Sequence, residues 1–194
     1  MRMWELLPSK IKYGISTIIS IIVFLFFLEF LGQPVLKSVS YTITTITILA
    51  FIFGKYLWKY FYIDYLKHKF CPDFNGRWIG KIESNYSGGT KVEFPLEIKA
   101  DFFSIKMKGN TTIGRTYSNY CKVVRAEDDS FELVYMFKVF NDTPSITDTS
   151  FYEGAARLRV IDIKTMNMKG VFWTNRCWEN GKNTAGIIEL SKEV

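Results

Sequence analysis

Hydrophobic and polar positions divide the chain into two regimes that meet near Cys71. From Tyr13 to Leu31 the sequence reads YGISTIISIIVFLFFLEFL, with one charge, Glu29, close to its end. Nineteen residues at about 1.5 Å of rise each approach the hydrocarbon thickness of a bilayer. A turn with Gly32 and Pro34 follows, then VSYTITTITILAFIFGKYLW from Val39 to Trp58, a second apolar run richer in Thr. The pattern predicts an α-helical hairpin with spans over about 13–31 and 39–58. The first run is too long for a signal peptide, and no small-residue cleavage site follows it. The Thr and Ile of the second run would also suit a strand. A soluble domain of this size, however, could not cover both runs.

From Asn75 onward the period is two. In KVEFPLEIKA, Val92, Phe94, Leu96 and Ile98 share one face while Lys91, Glu93, Glu97 and Lys99 share the other. In FELVYMFKV, Leu133, Tyr135 and Phe137 oppose Glu132 and Lys138. Such alternation marks antiparallel sheet with one wet face. Turn signals at SGGT, KGNTTIG, AEDDS, FNDTPSITD, TMN and ENGKN, with a corner near Ala100–Asp101, delimit eight strands. They run over about 75–85, 91–100, 102–109, 114–126, 130–140, 150–163, 168–178 and 184–192. Eight antiparallel strands can close into an up-and-down barrel whose interior is filled or holds one small ligand. A two-sheet sandwich is the competing arrangement. Pro95 must avoid a ladder donor position, which places it at a bulge or a poorly paired stretch. The chain thus divides into 1–69, the hairpin with its juxtamembrane aromatic and basic segment, and 70–194, an all-β domain.

Charge follows the same division. Residues 1–69 hold 8 Lys and Arg against 3 Asp and Glu, whereas residues 70–194 hold 17 against 16. The basic excess therefore belongs to the membrane segment, and a polymeric nucleic acid is not the expected partner. Arg2, Lys10 and Lys12 precede the first span, Lys55, Lys59, Lys67 and Lys69 follow the second, and Lys37 stands alone between them. The positive-inside rule puts both termini in the cytoplasm. Within the spans, Ser16 and Ser20 lie in the cytoplasmic half, and Thr42, Thr44, Thr45 and Thr47 in the outer half. Each hydroxyl either bonds to its own helix backbone or packs between copies of the chain. Glu29 is expected as an interfacial carboxylate near Tyr41 and Thr42.

Catalytic sets are hard to assemble. His68 is the only histidine, and Cys71, Cys121 and Cys177 form no C-x-x-C, so the usual zinc ligands are lacking and free thiols are expected. The glycine fragments match neither a P-loop nor GxGxxG. Glu127–Asp129 reads as a solvated turn. The informative stretch is GVFWTNRCW, Gly170 to Trp178. By parity Gly170, Phe172, Thr174 and Arg176 share one face, and Val171, Trp173 and Asn175 the other. Arg176 then either stacks on Trp78 and plugs one barrel end, or reads a phosphate. Trp78, Tyr117, Tyr135 and Trp173 could offer stacking faces to bases or serve as core.

Two spans with cytoplasmic ends, then FNGRWIG opening a barrel, GVFWTNR and a late AGIIEL strand: the whole chain resembles the CD-NTase-associated two-span β-barrel effectors of CBASS anti-phage systems. That family is also described as SMODS-associating β-strand-rich effectors. The motifs are Gly76-x-Trp78 and Gly170-x-Phe172-x-Thr174-x-Arg176, with Phe172 standing where Tyr is expected. The resemblance implies a lipocalin-like barrel and a receptor, not an enzyme. A cyclic dinucleotide made by a partner CD-NTase would bind the barrel, without a cofactor or metal. The protein would then oligomerise, and its hairpins would disrupt the bacterial inner membrane, killing the infected cell. The expected ligand-binding residues are Trp78, Tyr117, Asn119, Tyr135, Thr174 and Arg176. Two other functions fit the pattern: a membrane-tethered carrier of an apolar ligand, and an envelope scaffold with a packed barrel. An open lumen lined by Arg176, Thr174 and Asn119 favours an anionic ligand; one lined only by Phe103, Ile105, Met107 and Leu133 favours a lipid.

Overall fold

The computed structural model describes residues 3–62, 70–85, 90–111, 114–144 and 148–193. A short helix, α1 (Met3–Leu6), precedes α2 (Ser9–Leu25), which runs on through a π-helical turn, Phe26–Phe30. Pro34 then opens α3 (Val35–Ile52), continued by a second π turn, Phe53–Leu57, and by α4 (Trp58–Phe61). Pro8 and Pro34 each stand just before a long helix with extended ψ, the conformation that starts a helix without needing the missing N–H. The segments Ser9–Phe30 and Val35–Tyr60, 22 and 26 residues long, are both long and apolar enough to cross a membrane. The second encloses its expected span, 39–58, and the first covers 13–31 except for Leu31. Four of the expected span hydroxyls bond back to their own helices: Ser20 donates to Ser16 O at 2.7 Å, Thr42 to Ser38 O at 2.7 Å, Thr44 to Ser40 O at 3.0 Å and Thr47 to Ile43 O at 2.8 Å. His68 and the end of the juxtamembrane segment lie outside the described residues.

Eight strands follow: β1 (Gly76–Ser84), β2 (Thr90–Ala100), β3 (Ile105–Thr111), β4 (Gly114–Arg125), β5 (Phe131–Asn141), β6 (Phe151–Asp162), β7 (Asn167–Thr174) and β8 (Ala185–Lys192). Each pairs antiparallel with its neighbour, and β8 returns to β1, so the sheet is a closed up-and-down barrel, not a sandwich. Pairing of β2 with β3 stops at Leu96 and Gly109, one residue short of Pro95, which has no N–H to offer the ladder.

Two strands depart from their expected bounds, each for a local reason. Strand β3 starts three residues late because Asp101 forms a side-chain turn. Its Oδ1 accepts from the N–H groups of Phe103 and Ser104 at 2.8 and 2.6 Å, and Ser104 Oγ donates to its Oδ2 at 2.9 Å. Strand β7 ends at Thr174, four residues early, because Cys177 takes a left-handed φ of 48° and leads into a 3₁₀ turn, Trp178–Asn180.

One barrel end is packed shut. Trp78, Phe74, Ile98, Leu133, Leu158 and Leu190 are fully buried there. The indole N–H of Trp78 donates to Phe74 O at 3.0 Å, and the Lys192 ammonium lies 6.0 Å from its ring centre while donating to Asp73 O at 2.9 Å. The cation on Trp78 is therefore Lys192. Arg176 is not its partner, because the two sit at opposite ends of the barrel. Gly76, at φ +138°, makes the entry into β1 possible; a Cβ there would also press Lys192 Cε at 3.0 Å.

The closed end carries the hairpin. Phe102 donates its N–H to Gly54 O at 3.0 Å and packs its ring against Phe53 at 5.5 Å. A Cβ on Gly54 would fall 1.9 Å from the Phe103 ring, so glycine allows helix and barrel to approach. Trp58 is buried in the same cluster, and Glu5 of α1 pairs with Lys122 of β4 at 3.4 Å.

Candidate functional site

The other barrel end is open. Strands β1, β3, β5 and β7 end there, above a lumen cavity of about 180 Å³. Alternation dictates its floor and walls, since every second residue of each strand faces inward. Val92, Phe94, Leu96, Met107, Phe137 and Phe172 make the walls apolar. Near the mouth the lining changes to hydroxyls: Ser84 at the end of β1, Thr111 at the end of β3, Thr116, Thr174 and Thr184. Thr174 and Thr184 share a hydrogen bond between their hydroxyls at 2.7 Å.

Arg176 supplies the guanidinium among these hydroxyls. It is held there by the chain's exit from β7. Asn175 Oδ1 accepts from Glu153 N at 2.7 Å, Asn175 N donates to Glu153 O at 2.9 Å, and the left-handed Cys177 turns the backbone back. The Arg176 side chain is 17% exposed and pairs with Asp148, 12% exposed. Nε donates to Asp148 Oδ1 at 2.9 Å and Nη2 donates to Oδ2, a fork-to-fork pair. Asp148 also accepts from Asn141 Nδ2 at 3.0 Å and Thr149 N at 2.8 Å. The Arg176 hydrogen bond, helped by the Thr149 N–H, holds the Asp148 carboxyl below its ordinary range against the opposing effect of burial. The guanidinium carbon lies 5.4 Å from the centre of the Tyr152 ring, whose phenol burial pushes up and Arg176 partly lowers.

Of the expected ligand residues, Tyr135, Thr174 and Arg176 line this cavity. Trp78, Tyr117 and Asn119 do not. Trp78 belongs to the closed end. Tyr117 and Asn119 are displaced by a β-bulge: Ser118 faces Phe137 and Tyr120 faces Met136, so Asn119 has no partner in the ladder. The bulge reverses parity within β4. Cys121 and Val123 point inward beyond it, and Thr116 and Ser118 before it, leaving Tyr117 and Asn119 exposed outside. Met107 N–H, near the bulge, donates to Ser118 Oγ at 2.8 Å. Sequence reasoning also missed Asp148, Tyr152 and Thr116. Tyr152 was accessible by parity with Ala156 and Leu158 of the same strand, whereas Asp148 stands in a connection with no period to read.

The lumen therefore mixes both expected chemistries: apolar walls that include Met107, and a hydroxyl and guanidinium mouth with Arg176 and Thr174. Phe103 instead contacts the hairpin, while Ile105 and Leu133 are buried core residues outside the cavity lining. Cys71, Cys121 and Cys177 are buried thiols, none of them in a disulfide. Burial pushes the Cys121 thiol up to about 12, so it is protonated at physiological pH and no nucleophile. Among the described residues no group of three His, Cys, Asp or Glu side chains could hold a metal ion.

A family model described as "Cap15, cyclic dinucleotide receptor domain" matches residues 69–192, the barrel from its lead-in to the last residue of β8. This is a receptor family, and its ligand is a cyclic dinucleotide. With two apolar helices ahead of the matched barrel, the chain belongs to the Cap15 cyclic dinucleotide receptor family of CBASS effectors.

Proposed function

We propose that this protein is a membrane-anchored antiviral effector whose barrel takes a cyclic dinucleotide at its open end, with a phosphate on Arg176. The observation that carries the proposal is a guanidinium at the mouth of a lumen whose walls are apolar. A dianionic ring of phosphates and sugars suits the hydroxyl and guanidinium rim, while its bases suit Tyr135, Phe137, Phe172 and Tyr152 below. The cavity is smaller than the roughly 300–1,000 Å³ of pockets that enclose a whole small ligand. The phosphates accordingly sit at the rim, in reach of Arg176, and the bases point inward.

The ligand is the product of a partner CD-NTase. Its binding favours association of the barrels, and tethered hairpins then meet at high effective concentration. The two helices cross the inner membrane with both termini in the cytoplasm, in keeping with the Lys and Arg that flank them. Their association disrupts the membrane, and death of the infected cell limits phage spread. The barrel, residues 70–194, is the sensor, and residues 1–69 act on the bilayer.

Full-length protein in detergent, titrated calorimetrically with cyclic di-GMP, cyclic di-AMP and cyclic GMP–AMP, tests the receptor step. At least one should bind, and Arg176→Ala should remove that binding while the melting curve stays cooperative. Tight binding retained by Arg176→Ala sinks the assignment of the phosphate site.

A further inference from the structure

The outer wall of the barrel is not uniform. Around β1, β2 and β3 it is charged and alternating in sign, with the pairs Lys81–Glu93, Lys91–Glu83 and Lys99–Glu97. Around β4 to β7 it is apolar. Tyr120, Met136, Ala155 and Trp173 are register partners across four consecutive strands. Tyr120, Met136 and Trp173 are 45, 48 and 52% exposed. Toward the open end a second group lies on the same wall: Tyr117 meets Phe140 edge to face at 6.4 Å, and Phe140 packs at a tilt on Phe151 at 5.4 Å. Val171 and Ile187, also register partners, extend it onto β8. A barrel has no sheet edge to protect and its core is already inside. These half-exposed side chains lie outside the core, and a continuous patch of this kind marks an interaction surface.

We infer that the β4–β7 wall is where two copies of the barrel meet; the surface assigned here presupposes the association step proposed above. Three observations select a second copy as the occupant. The first is area. Aromatic side chains carry about 150–250 Å² each, so these half-exposed residues present on the order of 800 Å², what each partner of a standard interface buries. The second is charge. The ionic groups on this wall are already paired with one another, Lys138 with Glu153 at 3.3 Å, Arg157 with Glu132 at 2.6 Å and Arg115 with Asp142 at 3.1 Å. Two identical neutral faces can approach without repulsion, and few cations are left over for an anionic lipid surface. The third is placement. The closed end rests on the hairpin, so the side wall faces laterally, toward other chains anchored in the same membrane. A two-fold contact through this wall buries Met136 and Trp173 against their counterparts, as a self-complementary patch requires.

The test uses the full-length chain in detergent micelles, weighed by light scattering with and without each of the three cyclic dinucleotides named above. The double variant Met136→Glu, Trp173→Glu places like charges in the centre of the wall. Wild type should assemble, and the variant should associate at least tenfold more weakly while melting normally and still binding nucleotide, with only the part of the affinity that association adds removed. The control Lys81→Glu, Glu93→Lys on the opposite wall should assemble as wild type does. Equal assembly of wild type and the Met136/Trp173 variant overturns the inference, as does a wild type that binds nucleotide and stays single. Were no nucleotide to bind, the receptor proposal would fail by itself, and the variants' masses in the absence of nucleotide would still decide the surface. A lipid or a different protein as the occupant leaves wild type single in micelles, which also overturns it.

Discussion

On the proposed site, Asp148 occupies the place on Arg176 that a ligand phosphate would take. Its carboxylate takes both guanidinium donors of the fork, Nε and Nη2. A bound phosphate must displace it, and each charge-assisted hydrogen bond exchanged is worth about 1.5–3 kcal/mol. Asp148→Asn keeps the shape and can still accept from Thr149 N–H, but it removes the charge. A residual anion about 6 Å from the phosphate would cost about 3 kcal/mol at an effective dielectric near 20, and less at a solvated mouth. Relief of roughly 1.4–2.8 kcal/mol corresponds to binding about tenfold to a hundredfold tighter. The same change costs the fold more than an exposed pair would, about 1.5–3 kcal/mol, because the two side chains are only 12 and 17% exposed and their hydrogen bonds are charge-assisted.

Calorimetry on wild type, Asp148→Asn, Arg176→Ala and the double variant forms a cycle. If Asp148 acts through Arg176, its substitution tightens binding in the wild-type background and does nothing in Arg176→Ala. Weaker binding by Asp148→Asn, with a normal melting curve, would refute the competition and make Asp148 a ligand contact.

The same pair predicts a pH dependence. Asp148 titrates below its ordinary 3.8, chiefly through the Arg176 hydrogen bond, so the folded state gives up this proton more readily than the unfolded chain. The stability it adds is present above that ordinary value and lost as pH falls through the depressed one; melting curves of wild type and Asp148→Asn should converge in acid. Trp78→Ala should destabilise the barrel by about 3–5 kcal/mol, since a fully buried indole leaves a cavity in the closed end; a loss under 1 kcal/mol in urea unfolding would contradict that packing. Gly54→Leu should weaken the joint between hairpin and barrel, because its Cβ cannot share space with Phe103; faster proteolysis between them is the measure, and unchanged cleavage counts against the joint. Reporter fusions at Lys37 and after Val194 should report opposite compartments, and matching compartments would remove the hairpin topology.

Period-two alternation located the strands because each one faces water on one side and packed core on the other, so burial is written into every second residue. Its failures mark where local hydrogen bonding overrides that period. Asp101 delays β3 by capturing two backbone N–H groups, and this frees Phe102 and Phe103 to meet the hairpin. The bulge at Asn119 adds one residue and so exchanges the two faces of β4; counting by two from Cys121 and Val123 puts Tyr117 inside, whereas the chain puts it outside. Nothing in the composition of YSNY distinguishes a bulge from a straight strand. Arg176 joined the right group of residues by parity with Thr174, but a turn places it, not a strand. Its partner Asp148 comes from a connection 28 residues away, a pairing that only the closed barrel creates.

On the proposed function the two ends of the barrel have different work, and their separation constrains how a ligand could act on the hairpin. Strand β1 runs from Gly76 at the closed end to Ser84 at the mouth, and at about 3.3 Å per residue with barrel tilt the ends lie roughly 20 Å apart. A ligand at Arg176 touches neither Phe102 nor Gly54. What joins them is a wall whose ladders are closed all the way round, with the densely packed Trp78 layer between. Interiors of that density shift little under a small ligand, so pushing on the helices through a single barrel is the costly route. The β4–β7 wall is the inexpensive one. Phe137 and Tyr135 line the lumen while Met136, between them in β5, stands outside. A base stacked against the inner face of that strand needs to move its outer face by only tenths of an ångström to alter how well one wall fits another. Between tethered copies, a small change in fit becomes a large change in the fraction associated.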